Sequence, residues 1–224
     1  MDFAQQENIK KDFWISPKAG DINTMTMDEI IQRTVEVLRH GGTILYPTDT
    51  IWGIGCDARN DEAVERLYTI KERDRKKSML VLISAELGER RAELIDTHIT
   101  SELRSPSSEL SRPTTYILPE RRWRELLGDS IAPNLAADDG SLGVRAADHA
   151  FCQEVIRRLG APLVSTSANL SGHPSPRAYH EIEEELRRRV DYCVPPLPEF
   201  VSGETRGSRI VKVDEEGNET VVRE

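Results

Sequence analysis

The chain has 224 residues, of which 38% are hydrophobic and 31% are charged, and its formal net charge is −9. No apolar run approaches the roughly 20 residues that a membrane-spanning helix needs, and the N-terminus has no basic segment followed by an apolar one. The acidic balance argues against a protein whose whole surface binds nucleic acid, because affinity for phosphate comes from clustered Lys and Arg. We therefore expect a cytoplasmic globular protein.

After residues 1–24, which show no period and are interpreted as an irregular N-terminal arm, four segments have helical spacing. Thr26 and Glu29 have the spacing of a capping box at the first helix, which Gly41 and Gly42 end. Asn60 can cap the second helix. The four predicted helices are 26–40, 60–71, 151–159 and 179–189. In the last, the pairs Glu183/Arg187, Glu184/Arg188 and Glu185/Arg189 have salt-bridge spacing.

Short apolar runs between these helices are typical of buried strands, and a hairpin closes the chain. The strand-like runs are TILYP at 43–47, MLVLI at 79–83, TTYIL at 114–118, LGVRA at 142–146 and PLVST at 162–166, followed by SRIVKV and ETVVR around an EEGN turn. Strands alternate with helices in the middle but not at the end. This order predicts an α/β (α+β) fold, a mixed sheet layered with helices, in a single domain over residues 25–224.

The cysteines and histidines indicate neither a metal centre nor a hydrolase. Cys56, Cys152 and Cys193 lie far apart, and any disulfide would leave one over, so we interpret them as buried reduced thiols. The chain has no P-loop, no G-x-G-x-x-G after a strand, no G-x-S-x-G and no H-E-x-x-H motif. The five histidines are scattered.

Two loops that leave predicted strands are candidate ligand sites. Residues 46–55, YPTDTIWGIG, carry hydroxyls, a carboxylate and glycines that let backbone approach a ligand. The alternative, a tight connection made of turn-forming residues, is equally favoured. Residues 164–172, VSTSANLSG, can present donors to phosphate or carboxylate oxygens. A self-satisfied Asn/Ser/Gly turn is the alternative, which the density of polar groups after an apolar strand modestly disfavours.

Two cationic features complete the candidates. The basic run 71–77, KERDRKK, could hold a triphosphate, although composition alone favours a solvated helix end. Arg145 lies within a strand, where a cation is costly unless it is paired or liganded. Asp138, Asp139 and Asp148 are near enough in sequence to be its partners.

Taken together, these segments resemble the YrdC-like family, the threonylcarbamoyl-AMP synthases. The similarity runs from about Met27 to the C-terminus and rests on the order of four motifs. They are GGTILYPTDTIWGIGCDA, the K-x-R segment from Lys71 through Leu80, GSLGVRAADH, and PLVSTSANLSGHPSP. Asn169, in the last motif, favours the synthase branch over a YciO-like relative that shares the fold.

The resemblance implies an open twisted α/β sheet with a concave site that takes L-threonine, bicarbonate or CO2, and MgATP. Magnesium would be held mainly by the ATP phosphates, with no protein metal site. Lys71 and Arg73 would be the catalytic cations. The residues implied at ATP are Lys71, Arg73, Lys77, Ser141, Asn169, Arg177 and Arg223. Those implied around threonine are Thr50, Arg145, Ser167 and Ser208. A separate transferase would pass the product to transfer RNA.

The chain departs from the family pattern at several positions. Ser78 replaces a proline after the K-x-R run, Leu82 replaces a histidine that many members have near threonine, and Arg209 replaces a threonine. Ser111-Arg112-Pro113 replaces P-G-P, although Thr115 is kept. A non-catalytic module that binds double-stranded or transfer RNA is the rival hypothesis, because basic residues also cluster at 71–77 and 121–124.

Overall fold

The computed structural model describes residues 25–74, 79–84, 113–196 and 207–224. The predicted N-terminal arm lies outside these ranges, as do Arg75, Lys76 and Lys77 of the basic run, Ser78, Ser111 and Arg112. No helix in the described ranges is long and apolar enough to cross a membrane.

The described residues form five α-helices and nine strands. The helices are α1 (Met27–Arg39), α2 (Asp61–Lys71), α3 (Glu120–Leu127), α4 (Ala150–Leu159) and α5 (Glu184–Arg189), with short 3-10 turns at Pro133–Leu135 and Tyr179–Glu181. The strands are β1 (Ile44–Tyr46), β2 (Gly53–Gly55), β3 (Leu80–Ile83), β4 (Thr114–Leu118), β5 (Leu142–Ala146), β6 (Leu163–Ser167), β7 (Tyr192–Cys193), β8 (Arg209–Val213) and β9 (Glu219–Arg223).

The described strands form one open sheet in the order β7-β1-β2-β6-β3-β5-β4-β8-β9. Strand pairs β1/β7, β3/β5 and β4/β8 are parallel, and the other neighbours are antiparallel. The predicted mixed sheet with flanking helices is therefore confirmed, including the terminal hairpin of β8 and β9.

The predicted N-terminal caps of the first two helices are also confirmed. The Thr26 hydroxyl accepts from the Glu29 backbone N–H at 3.3 Å, and the Glu29 carboxylate accepts from the Thr26 N–H at 2.7 Å. The Asn60 side chain accepts from the Ala63 N–H at 2.9 Å. Such caps satisfy backbone donors that the first helical turn leaves without partners.

The predicted long helix over 179–189 is wrong. A 3-10 turn ends at Glu181, Ile182 is extended, Glu183 is not helical, and α5 begins only at Glu184. Ile182 is buried in the core, and the Glu183 carboxylate lies 2.8 Å from the His173 ring instead of pairing with Arg187. These tertiary contacts interrupt the helical pattern. The other two predicted pairs, Glu184/Arg188 and Glu185/Arg189, are present.

The sheet separates two apolar layers. One face packs against α2, α3 and α5, through residues such as Val81, Val144 and Val211. Part of the opposite face is covered by α1 and α4, which bury Tyr46, Leu82 and neighbouring residues. The rest of that second face is not covered by either helix, and it carries polar side chains. Of the cysteines, Cys56 and Cys152 are buried and Cys193 is partly buried, and all are free thiols as predicted.

Strand β2 lies so close to β6 that only glycine fits at position 55. A Cβ atom there would lie 2.0 Å from the Val164 carbonyl oxygen and 3.0 Å from the Tyr46 ring. We expect Gly55→Ala to destabilise the chain by about 3 kcal/mol or more in urea unfolding, because backbone cannot yield as a flexible side chain does. Gly160→Ala is the control: the added atom meets nothing within 4 Å, although φ is +70°, so the loss should be about 1 kcal/mol. Equal losses of stability in the two variants would show that the close approach of β2 to β6 does not restrict position 55 to glycine.

Candidate functional site

A cavity of about 310 Å³ opens on the part of the second sheet face that α1 and α4 leave free in the described ranges. Its walls combine hydroxyl groups, glycines and three arginines. The lining residues are Thr48, Thr50, Ile51, Gly53, Arg73, Met79, Leu80, Thr115, Ile117, Gly143, Arg145, Ser165, Thr166, Ser167, Ser175, Gly207, Ser208, Ile210 and Arg223. A volume of this size is at the lower end of the range for small-ligand sites.

Strand register brings this set together from distant parts of the chain. Gly53 pairs with Ser167, and Leu80 pairs with both Ser165 and Gly143. Because side chains alternate across a strand, paired residues point to the same face of the sheet. At the other end of the sheet, Thr115 on β4 pairs with Ile210 on β8, which in turn pairs with Arg223 on β9, and all three line the cavity. The predicted residues Thr50, Arg73, Arg145, Ser167, Ser208 and Arg223 all line the cavity.

Arg145 lies in the floor of the cavity, and its side chain is 3% exposed. It donates to the Thr50 hydroxyl at 3.1 Å and to Asp49 Oδ1 at 3.2 Å. Its Nε makes no hydrogen bond to any described residue, and neither does Asp49 Oδ2. The charge is thus partly neutralised, while one buried donor of the guanidinium has no partner among the described residues.

The predicted partners of Arg145 are wrong, since the loop between β1 and β2 provides Asp49 instead. Asp139 accepts from both the backbone and the hydroxyl of Ser141, and from Lys212 at 3.1 Å. These hydrogen bonds, led by that of the Ser141 hydroxyl, lower the pKa of Asp139 to about 2. Ser141 is buried in this contact and does not line the cavity.

The terminal hairpin forms another wall. The Thr115 and Ser208 hydroxyls lie 2.7 Å apart, and both residues are 3% exposed. Arg223 crosses Gly207 and donates to the Ser208 carbonyl at 3.1 Å from Nε and 2.6 Å from Nη2. The last strand is thereby joined to the cavity wall through both side-chain and backbone atoms.

The K-x-R segment divides at the end of α2. Glu72 adopts a left-handed conformation with φ of 50°, and the side chains on either side of it take different courses. Arg73 lines the cavity, and burial lowers its pKa. Lys71 does not line it, because its ammonium group contacts main-chain carbonyls of the 167–171 loop.

Two further predicted ATP residues lie away from the cavity wall. The Asn169 side-chain amide donates to the carbonyls of Leu170 and His173, at 2.8 Å each. Arg177 is exposed, and its backbone N–H donates to Glu181 at 2.7 Å. Their roles toward a nucleotide, like that of Lys77 outside the described ranges, stay predictions. Within those ranges no group of three or more His, Cys, Asp or Glu residues could hold a metal ion.

Several lining residues are not identified by the sequence pattern. Thr48 and Ser165 lie in the two segments that it marks as candidate ligand sites, but it gives neither residue a role, nor does it give one to Thr115. The alternation of side chains in TTYIL could have indicated Thr115, because Thr115 and Ile117 line the cavity while Tyr116 and Leu118 lie in the core. Alternation predicts two faces, but which face bears a cavity depends on what covers it. Leu82 pairs with Arg145 in the sheet but is fully buried beneath the helices.

The fold and site define an α/β protein with a polar small-ligand cavity on one face of an open mixed sheet. The family model named Sua5_yciO_yrdC and described as "Telomere recombination" matches residues 36–224. The chain therefore belongs to the Sua5/YciO/YrdC family, which confirms the resemblance seen in its motifs.

Individual relatives agree with this assignment. A threonylcarbamoyl-AMP synthase of Photobacterium profundum is 30% identical over 197 residues, which cover 87% of this chain and 98% of that protein. The crystal structure of E. coli YciO superimposes with a TM-score of 0.65 at 22% identity, covering 89% of this chain and 90% of that one. P. abyssi Sua5 complexed with L-threonine gives a TM-score of 0.65 at 21% identity, covering 84% of this chain but only 52% of that one. These two structures show the shared fold.

Proposed function

We propose that this chain synthesises threonylcarbamoyl-AMP from L-threonine, bicarbonate or CO2, and MgATP, releasing pyrophosphate, and so acts as a nucleotidyltransferase in transfer-RNA modification. The observation that carries the proposal is the cavity in which Arg73, Arg145 and Arg223 surround a wall of hydroxyls. The similarity to a curated threonylcarbamoyl-AMP synthase over 87% of the chain supports it.

The reaction needs two anionic substrates to be aligned. The threonine amine adds to CO2, loses a proton and gives a carbamate. A carbamate oxygen then attacks the α-phosphorus of ATP, the bond to the bridging oxygen breaks, and pyrophosphate leaves. No protein nucleophile is required, so the protein contributes alignment and neutralisation of developing charge.

The cavity residues fit these tasks. In the proposed complex, the Arg145 guanidinium pairs with the threonine carboxylate, with Thr50, Ser167 and Ser208 around the amino acid. Arg73 and Arg223 neutralise ATP phosphates, since a guanidinium fork matches phosphate oxygens. Magnesium enters as MgATP, bound by the phosphates, and the product passes to a separate transferase in the cytoplasm.

The rival RNA-binding hypothesis receives less support. Arg121 pairs with Glu125, and Arg124 pairs with Glu120. The Lys71 ammonium is buried against carbonyls. Phosphate binding at these positions would first have to break internal contacts. Direct contact with transfer RNA stays a prediction.

The test is pyrophosphate release from MgATP and bicarbonate, measured with and without L-threonine. We expect release only when threonine is present, together with a product of the mass of threonylcarbamoyl-AMP. L-Serine and L-valine are matched controls, since they lack the methyl or the hydroxyl group of threonine. Threonine-independent release would indicate another acceptor. No release, with steeply salt-dependent RNA binding, would favour the rival.

Thr115 should tune this site through Ser208. Thr115→Val keeps the shape of the side chain but removes the 2.7 Å hydroxyl contact, and we expect the KM for threonine to rise about fivefold, the effect of one hydrogen bond of about 1 kcal/mol. Thr115→Ser keeps the hydroxyl and should stay within about twofold of wild type. Steady-state kinetics at saturating ATP measures both. Equal KM values for the two variants would show that the hydroxyl contact does not matter.

A further inference from the structure

The ammonium group of Lys71 contacts a loop of the same chain. The residue is 1% exposed, and its ammonium group donates to the Ser167 carbonyl at 2.6 Å and to the Asn169 carbonyl. The Ser167 hydroxyl and the Asn169 side-chain oxygen each lie 3.4 Å from the same nitrogen. Because an ammonium group has three donors, these four oxygens account for its hydrogen-bonding capacity.

The contacted loop, residues 167–171, borders the cavity. It begins with Ser167, which lines the cavity, and its Ser171 N–H donates to the Lys71 carbonyl at 3.0 Å. The Ala168 N–H donates to the Trp52 carbonyl at 2.8 Å, which joins this loop to the one after β1. Lys71 thus holds the loop from both its main chain and its side chain.

Helix α2 ends at the residue whose ammonium group enters this loop. Lys71 is the last residue of α2, and the C-terminal end of a helix carries partial negative charge. Arg73 is the charged group that acts on the Lys71 ammonium, and the next residue, Glu72, forms an ion pair with Arg189 from α5. The acceptors of the Lys71 ammonium are the loop carbonyls and not the groups of this ion pair.

We infer that Lys71 is a positioning residue, which fixes the 167–171 loop for substrate binding and does not itself contact phosphate. This inference deepens the proposed function and rests on it, because the ligands of the loop are the proposed threonine and ATP. Loss of the ammonium group leaves two carbonyls without their buried donor, so the loop and Ser167 with it should shift. A misplacement of about 1 Å in an active-site group can lower the reaction rate on the order of 100-fold.

Threonine binding to nucleotide-free protein separates this role from direct phosphate contact. The variants are Lys71→Met, which keeps an unbranched side chain without charge, and Ile70→Ala, which truncates a core side chain one residue earlier on the same helix. By calorimetry we expect Lys71→Met to weaken threonine binding at least tenfold, and Ile70→Ala to stay within about twofold. Unchanged threonine affinity with weaker ATP binding would overturn the inference, because it is the result of a direct phosphate contact.

Hydrogen exchange tests the same point without any substrate. In the ligand-free chain, the amides of Ala168 and Ser171 should exchange faster in Lys71→Met than in Ile70→Ala. Equal protection would refute the positioning role even if the proposed reaction is correct. If wild-type protein bound no threonine but the loop loosened in Lys71→Met, the proposed function would fail and the positioning role would stand.

The dependence of stability on pH tests whether the amino group of Lys71 is buried in the folded chain. Burial, and secondarily the charge of Arg73, lowers the pKa of Lys71 from 10.5 to about 8. Between these values the unfolded chain binds the proton and the folded chain does not, so this group makes stability rise with pH. The urea stability of wild type relative to Lys71→Met should therefore increase from about pH 8 to about pH 10. A flat difference would contradict the burial of the charge.

Discussion

Replacement of Arg73 by alanine should lower kcat/KM for threonine-dependent pyrophosphate release by about 100- to 1,000-fold. Arg73 is the cation of the K-x-R segment that lines the cavity, and it is half-buried. In such surroundings a guanidinium interacts with transferring phosphate more strongly than it does in bulk water. The expected loss is mainly in kcat, because the charge on the phosphate and leaving group grows in the transition state.

Two further variants make this result specific. Arg73→Lys keeps the charge without the fork and should lie between wild type and alanine. Arg121→Ala removes a surface arginine whose side chain is 79% exposed and should leave kcat/KM unchanged. Urea unfolding should show all three variants folded. Wild-type rates in Arg73→Ala would remove this residue from the proposed machinery.

Replacement of Arg145 by methionine should destabilise the chain by about 3–5 kcal/mol, because it leaves the Asp49 carboxylate buried without its counter-charge. The two side chains are 3% and 5% exposed and lie 3.2 Å apart. Threonine binding should be lost in the same variant. Urea unfolding measures the first effect, and calorimetry with L-threonine measures the second.

The double variant Arg145→Met/Asp49→Asn separates stability from function. Removing both charges should recover most of the lost stability, since neither is then left unpaired. Threonine binding should not return, because the donor for the carboxylate is still absent. Recovery of threonine binding would show that Arg145 acts only by neutralising Asp49. A double variant as unstable as Arg145→Met would show that the ion pair does not set the stability of this site.

The local rules of the sequence were sufficient for most elements. The capping box at Thr26, the cap at Asn60 and the terminal hairpin depend on residues within a few positions of one another. Strand β2 was missed because Gly53-Ile54-Gly55 has poor intrinsic strand propensity. It is a strand because β1 and β6 pair with it on both sides, and Gly55 lets the backbones approach.

The candidate site was only partly predictable for the same reason. The cost of a lone charge inside a strand indicated that Arg145 must be paired or liganded, but not with which residue. Its partner, Asp49, comes from a loop far away along the chain. Sequence proximity favoured Asp139, which instead holds Ser141 and Lys212. Likewise, nothing local distinguishes Lys71 from Arg73, and the backbone turn at Glu72 separates their environments.

By itself, the sequence determined the mixed α/β class, the helix caps, the polar loops after apolar strands and the family of the chain. The class, the caps and the polar loops follow from the periodicity of side chains and from the conformational preferences of neighbouring residues, whereas the family was indicated by the resemblance of four motifs. Only the tertiary structure decided which polar groups share one cavity, where each buried charge finds its partner, and that Lys71 contacts the 167–171 loop. Such contacts depend on strand order and register, which are set by burial of the whole sheet rather than by any short segment.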